Sequence, residues 1–420
     1  MDKLIIRGKN KLKGKIKNSG SKNAALPIMA ACLLTKEKSI IKNVPELSDI
    51  KTMIRLLQRL GAKVKFYDNT VVIEPGNFKG DTATYKFVSV MRASICVLGP
   101  LIARQRRAKV SFPGGCVIGP RPINLHIKGL QALGADVCIS HGYVVAIAGQ
   151  LRGSDVYLGG AFGSSVLATA NVMMAATLAK GKTRVENAAC EPEIVDLAEM
   201  LIKMGARIKG HRTHIIEIEG VKKLSGVNYS IIPDRIEAGT YMIAAAMTSG
   251  DVTIEGANIE HIGALIDVLR TIGVSVTKKT NSIRVKGPRY FRPANIVSLP
   301  FPGFPTDLQA QITTMMTQAR GISIVTEKIY PERFMHISEL NRMGADIIVE
   351  GESAIIKGPR NLTGAPVMAS DLRASAALVL AGLVAEGTTE ISRLYHLDRG
   401  YERLEAKLSI LGADLWRERA

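Results

Sequence analysis

Aromatic side chains are scarce in this 420-residue chain, at 5% of residues with a single Trp. Grooves for single-stranded nucleic acid stack bases on aromatic faces, so the scarcity disfavours that class of function. Cysteine is sparse as well. The five thiols, Cys32, Cys96, Cys116, Cys138 and Cys190, are an odd set without a Cys-x-x-Cys pair. Neither a disulfide framework nor a metal site is expected, and a reducing cytoplasm is the expected compartment. Long apolar runs are missing too: the longest lies between Arg373 and Glu386, short of the ~20 residues of a membrane span. The start, Met1-Asp2-Lys3-Leu4-Ile5-Ile6-Arg7, has no apolar segment behind a basic one, so no signal peptide is expected. Acidic residues number 37 against 56 Lys plus Arg, a net charge of +19. That excess suits nucleic acid, an anionic membrane surface or small polyanionic substrates, and composition does not choose.

What the chain does have is a repeat. An apolar-x-x-apolar-Gly-Ala/Val-x-apolar signature recurs around Gly61, Gly134, Gly205, Gly273, Gly344 and Gly412, spaced 73, 71, 68, 71 and 68 residues apart. Six units of about 70 residues fill the chain. Each has an Ala/Met-rich apolar helix, such as 170–176, then a short β-branched strand, such as 183–186. An amphipathic helix follows, such as 194–203, and stops at the glycine, which supplies a left-handed C-cap. A strand then re-enters, as at 71–73 or 215–218. Helices without a polar face belong inside, so central helices and outer sheets are expected. Six units divide into three plus three, with Gly220-Val221-Lys222-Lys223-Leu224-Ser225-Gly226 the best linker candidate. Leu415 is expected to end the chain before a final strand can form, so the strand at residues 2–6 is expected to complete the last unit. Two lobes with a ligand cleft between them would result.

A structural repeat does not need charges at strand-loop-helix junctions, so those are the candidate functional residues. Lys22 and Asn23 open an apolar helix after Ser19-Gly20-Ser21. A lysine at the positive end of a helix is electrostatically misplaced unless an anion joins it. Arg92 and Arg373 repeat that placement. The stretch from Phe112 to His126 is rich in Pro and Gly and carries Cys116, with Arg121 and His126 nearby. A thiol beside such groups can have a lowered pKa and act as an acid or nucleophile. Cys190 occupies the matching loop of the next unit but is followed by Glu191 and Glu193, and the other three cysteines read as inert core. Asp234, Asp307 and Asp371 each precede a helix, where a carboxylate can simply cap. His396-Leu397-Asp398-Arg399-Gly400-Tyr401 fills the last strand-helix loop. By contrast, Arg104-Gln105-Arg106-Arg107-Ala108-Lys109 reads as a solvated turn.

Gly20-Ser21-Lys22-Asn23-Ala24, Pro113-Gly114-Gly115-Cys116 with Arg121-Pro122, Pro233-Asp234-Arg235-Ile236-Glu237, Pro305-Thr306-Asp307 and Asp398-Arg399-Gly400-Tyr401-Glu402 resemble the UDP-N-acetylglucosamine enolpyruvyltransferases over the full length. The resemblance implies a two-lobed inside-out α/β barrel of six β-α-β-α-β-β units. Residues 22–229 would form one lobe, residues 1–21 plus 230–420 the other, with the active site in the cleft between them. It implies transfer of the enolpyruvyl group of phosphoenolpyruvate to the sugar 3-hydroxyl, the first committed step of peptidoglycan synthesis. The path is addition then elimination through a tetrahedral intermediate, with no cofactor. Such a path needs an acid, a base and cations around phosphate and carboxylate. By the same resemblance Cys116 is the proton donor and the target of fosfomycin, and Asp307 the base. Lys22, Asn23, Arg121, Asp371, Arg373 and Arg399 would hold phosphoenolpyruvate. Asn23, Arg92, Arg121, Pro122, Ile123, Asn124, Leu125, Ser165, Val166, Asp307 and Ile329 would contact the UDP-sugar.

Three departures from the family pattern stand out. Leu167 replaces a usual glycine near the diphosphate, Asn124 a usual aspartate beside the uracil, and Gly163-Ser164 reads as a local rearrangement. The shikimate-phosphate branch of enolpyruvyl transferases shares the six-fold unit but lacks the cysteine loop. A basic RNA-binding or RNA-processing protein is the rival of another class, disfavoured by the scarce aromatics and the lack of a concentrated basic stripe.

Overall fold

The computed structural model describes residues 2–112, 122–161 and 163–419. Among them the strands build six four-stranded sheets and one small ribbon, in which Gly159–Gly160 pairs with Gly163–Ser164. The six sheets share one order. In each, an edge strand runs parallel to its neighbour and the next two pairings are antiparallel. Thus Asn295–Ser298 lies beside Gly321–Glu327, which pairs with Ser353–Gly358 and that in turn with Ile347–Glu350. Strands such as Ile215–Glu219 alternate exposed and buried positions, the period-2 pattern of a sheet with one wet face. Much of the positive charge sits on those wet faces, as in Lys13–Lys17, where only Ile16 is buried.

The six signature glycines do what their spacing requires. Their φ angles lie between 86° and 107°, the left-handed region that glycine enters at least cost. At Gly134, Gly205 and Gly273 a Cβ would meet nothing within 4 Å, so backbone conformation, not crowding, selects the residue there. The Ala-rich helices are buried around their circumference. Every residue of Lys22–Ala31 except Asn23 is buried, as are all but two of Leu372–Val384. Small side chains let such helices approach closely: a Cβ on Gly99 would lie 2.4 Å from the Asn171 carbonyl oxygen of the helix Val166–Ala176.

The chain divides into two compact units, one holding the described residues from Gly20 to Ile232, the other those up to Ser19 and from Pro233 onward. Each has its own apolar core. Among the described residues the chain passes between units at Ser19/Gly20 and at Ile232/Pro233, and the proposed linker at 220–226 lies inside one unit. The reason is the strand Asn228–Ser230, which runs parallel to Ser39–Lys42 as the edge of the first sheet. Reciprocally, Lys13–Lys17 is the edge of the sheet containing Asp251–Glu255. Each segment precedes the first buried helix of one unit but pairs in the other. Lys3–Arg7 lies between Thr388–Ser392 and Asp414–Glu418, so the amino terminus completes the last sheet, and the strand after Gly412 also forms.

Two further sequence expectations are corrected. Arg104 is no solvated turn residue: it donates to the carbonyls of Leu33, Thr35 and Gly76 at 2.8, 2.6 and 3.0 Å and lies over the Phe78 ring. It thereby satisfies carbonyls left open where the helical run ends at Leu34. Cys138 is exposed, on the wet face of Asp136–Ser140, and is not core. Cys32 and Cys96 are buried, and burial pushes both thiols up to about 12.

Candidate active site residues

In the Gly20–Ile232 unit, Lys22 and Asn23 open the helix Lys22–Ala31, capped by Ser21, whose Oγ accepts from the Ala24 N–H at 3.3 Å. Lys22 is buried, and its Nζ lies 3.0 Å from Asp49 Oδ2. Asp49 stands in the first turn of Ser48–Leu60, where a carboxylate also complements the helix dipole. The anion demanded by the misplaced lysine is therefore supplied by the protein itself. Arg92 begins the short helical segment Arg92–Val97, which packs against Lys22–Ala31 and Val166–Ala176. Ser165 caps the latter helix, its Oγ accepting from Ala168 N–H at 3.3 Å, and Val166 and Leu167 pack partly buried against the core. Pro122 and the exposed Asn124 flank Ile123, which is buried like Leu125, at the start of Asn124–Ala132. Cys116 and Arg121 lie outside the described residues. His126 is buried with Nδ1 3.0 Å from Asn171 Nδ2, and burial, aided by Arg92, pushes its pKa down to about 3. Cys190 sits 3.3 Å from His214 Nδ1, but burial and Glu191 raise its pKa, which disfavours thiolate chemistry.

In the other unit, Asp307 does not cap its helix. The turn Thr306–Leu308 has no side-chain cap, and the carboxylate is held by two guanidiniums. Arg333 donates to Oδ1 at 3.0 Å and Arg373 to Oδ2 at 2.8 Å. Burial alone would raise the Asp307 pKa, but Arg373 and Arg333 outweigh it and hold the group well below the usual carboxylate range. Both arginine side chains are almost fully buried, whereas 25% of the Asp307 side chain remains accessible. Arg373 also donates to Tyr401 Oη at 3.3 Å, which meets Thr240 and Gln311, while its Nε is buried without a partner. Asp371 caps Leu372–Val384, accepting from the backbone N–H of Arg373 and Ala374 at 2.7 and 3.2 Å. Asp234 likewise caps Arg235–Met247. Arg399, partly exposed, ends the segment Leu394–Arg399, beside Asp398, which is paired to Arg417. Ile329 is partly buried, and its N–H donates to Glu327.

Sequence reasoning missed Asp49, Arg333, Tyr401 as a side-chain partner of Arg373, and Glu327. Asp49 looks like any acidic residue in a first helical turn. Arg333 follows Tyr330-Pro331-Glu332 with no periodic or Gly-rich signal. Only burial in the fold distinguishes them, Asp49 beside the buried Lys22 and Arg333 sharing the Asp307 carboxylate with Arg373.

This constellation, an ionised carboxylate among buried cations together with buried-helix units, suits proton transfer beside anionic substrates. The family model described as EPSP synthase (3-phosphoshikimate 1-carboxyvinyltransferase) matches residues 6–408. The chain belongs to this enolpyruvyl transferase family and is an enolpyruvyl transferase by fold and sequence. Within the family, it is 55% identical over 417 residues, 99% of each chain, to the UDP-N-acetylglucosamine 1-carboxyvinyltransferase of Geotalea daltonii. It is 56% identical, with the same coverage, to that of Methylacidiphilum infernorum. Among solved structures, the enolpyruvyl transferase NikO from Streptomyces tendae superposes with a TM-score of 0.91 at 22% identity, covering 100% of this chain and 99% of that one. An EPSP synthase from Acinetobacter baumannii gives 0.79 at 20%, covering 100% of both.

Proposed function

We infer that this chain transfers the enolpyruvyl group of phosphoenolpyruvate to the 3-hydroxyl of UDP-N-acetylglucosamine, releasing phosphate, and so serves peptidoglycan synthesis in the cytoplasm. The observation that carries the reading is identity of 51–56% across nearly the whole chain with relatives of that name, against 19–22% with NikO and the Acinetobacter baumannii EPSP synthase. The shikimate-type reading is accordingly not favoured. No helix among the described residues is long and apolar enough to cross a membrane. The six sheets of one strand order support the six-unit, inside-out reading of the fold.

The chemistry divides among the named residues. The sugar oxygen adds to C2 of phosphoenolpyruvate while Cys116 gives a proton to C3, and Asp307 takes the hydroxyl proton. Elimination then breaks the C2–O bond to phosphate and returns a proton from C3. Lys22, Arg121, Arg373 and Arg399, with Asn23 and Asp371 beside them, hold the phosphate and carboxylate. Arg92, the 121–125 segment, Ser165, Val166 and Ile329 serve the UDP-sugar. An Asp307 pKa far below the usual range keeps it ionised, but makes it a weak base. Proton transfer to it therefore belongs late, as C–O bond formation acidifies the hydroxyl. The test is phosphate release: it should require both substrates, and Asp307→Asn should lower kcat by about a hundredfold or more. No release from the pair sinks the function; near-normal turnover in Asp307→Asn removes the base role.

A further inference from the structure

Glu327 is a fully buried carboxylate that the chemistry above does not use. Its two oxygens face different parts of the site. Oε1 accepts from the backbone N–H of Ile329 at 2.8 Å and of Tyr330 at 3.0 Å. Oε2 accepts from the Thr306 hydroxyl at 2.8 Å. That same hydroxyl oxygen accepts from Arg333 Nη1 at 3.0 Å, and the nitrogen also donates to the Thr306 carbonyl at 3.1 Å and to Asp307 Oδ1 at 3.0 Å. Thr306 has one hydroxyl proton. Because Glu327 takes it, the lone pairs of Oγ1 are left facing Arg333, which fixes the guanidinium against Asp307. The loop closes on itself, since Arg333 N–H donates to the Tyr330 carbonyl at 2.9 Å.

We propose that Glu327 is a positioning residue with two arms: through Thr306 and Arg333 it aims the Asp307 carboxylate, and through the backbone at 329–330 it sets the segment that meets the UDP-sugar. Burying a carboxylate is costly unless its lone pairs are used, and here both oxygens are spent on the two segments that the proposed function assigns to the acceptor sugar. The proposal rests on that function. Neither arm touches a reacting atom, so the effect on chemistry is one of geometry, where a displacement of about 1 Å can cost a hundredfold.

The two arms can be separated by substitution. Glu327→Gln keeps an oxygen for the N–H groups of Ile329 and Tyr330, but turns an NH2 toward Thr306, so the hydroxyl proton loses its acceptor. Thr306→Val removes the hydroxyl itself. Each should lower kcat about tenfold with KM for UDP-N-acetylglucosamine within about twofold. The double variant should be no slower than Glu327→Gln, because both break one relay. Thr306→Ser, which keeps the relay, should restore kcat, and Glu327→Ala, which breaks both arms, should raise that KM as well as lower kcat. Melting temperature is measured alongside, and rates are referred to folded protein. Unchanged kcat in folded Glu327→Gln and Thr306→Val, or losses that multiply in the double variant, overturn the positioning role. A lack of turnover in the unmodified chain instead overturns the functional reading beneath it.

Discussion

Lys22 and Arg373 occupy the first turns of buried helices, where the backbone already presents positive charge, and each meets a carboxylate from a neighbouring segment. Asp49 serves Lys22 and Asp307 serves Arg373. Such pairs hold a cation in a dry place, and on the proposed function an outside anion competes for it. Removing one partner leaves the other buried and uncompensated, a loss of about 3 kcal/mol or more. Asp49→Asn should therefore lower the unfolding free energy by about 3 kcal/mol, and inorganic phosphate should raise its melting temperature more than that of the unmodified chain, because a ligand bound only by the native state stabilises by mass action. Equal shifts in the two proteins would show that Lys22 meets no external anion. The sequence made these cations legible, since a charge opening an apolar helix has no structural purpose of its own. It did not make their protein partners legible. Asp49 and Arg333 are distant in sequence from Lys22 and Asp307 and sit in ordinary-looking segments, so only folding reveals them. Nor does the sequence show that the His126 ring turns inward to Asn171.

Helices and strands were legible where local rules dictate them. A glycine that ends an amphipathic helix must adopt positive φ, and that demand stands in the sequence six times. The exchange of edge strands does not, because nothing local in Asn228–Ser230 distinguishes pairing with Ser39–Lys42 from pairing elsewhere. The element that anchors this exchange is the helix Pro192–Lys203. Its buried Asp196 accepts from Tyr229 Oη at 2.5 Å and from Ile232 N–H at 3.2 Å. Burial is the main cause that pushes Asp196 up to about 6, against the hydrogen bonds from Tyr229 and Ile232. A folded-state pKa above the unfolded value means that the native state binds the extra proton, so stability falls as pH rises from 3.8 through about 6. Above that window the buried carboxylate is ionised and leans on the Tyr229 hydroxyl. Tyr229→Phe should then cost about 2 kcal/mol at pH 7.5, as for hydrogen bonds to charged groups, and about 1 kcal/mol at pH 5. Urea midpoints at the two pH values test this, and an equal cost at both would mean that Asp196 does not titrate there.

At the scale of the whole chain, each unit holds three four-stranded sheets and its own core, yet one of them is assembled from both ends of the sequence. The fold needs the first strand beside the last, not the chain order that brings them there. Lys3 pairs directly with Glu418 in an antiparallel ladder, which places their Cα atoms about 5 Å apart. A short loop can join antiparallel neighbours, and the closure entropy of a few added residues is small, about 0.6 kcal/mol for each doubling of length. A circular permutant that begins at Gly20, runs to Ala420, and continues through a flexible linker into 1–19 makes both units contiguous while preserving every sheet. We expect it to fold, to melt within a few degrees of the parent, and to release phosphate from the same substrate pair. Deleting 1–19 outright should instead unfold the unit that begins at Pro233. It removes the strand between Thr388–Ser392 and Asp414–Glu418 and the edge strand of Asp251–Glu255. Limited proteolysis should then degrade residues beyond 233 while sparing 20–232, whose core and three sheets are intact without them. Equal digestion of both halves would show that the units do not fold separately, and that the amino-terminal strands support the whole chain.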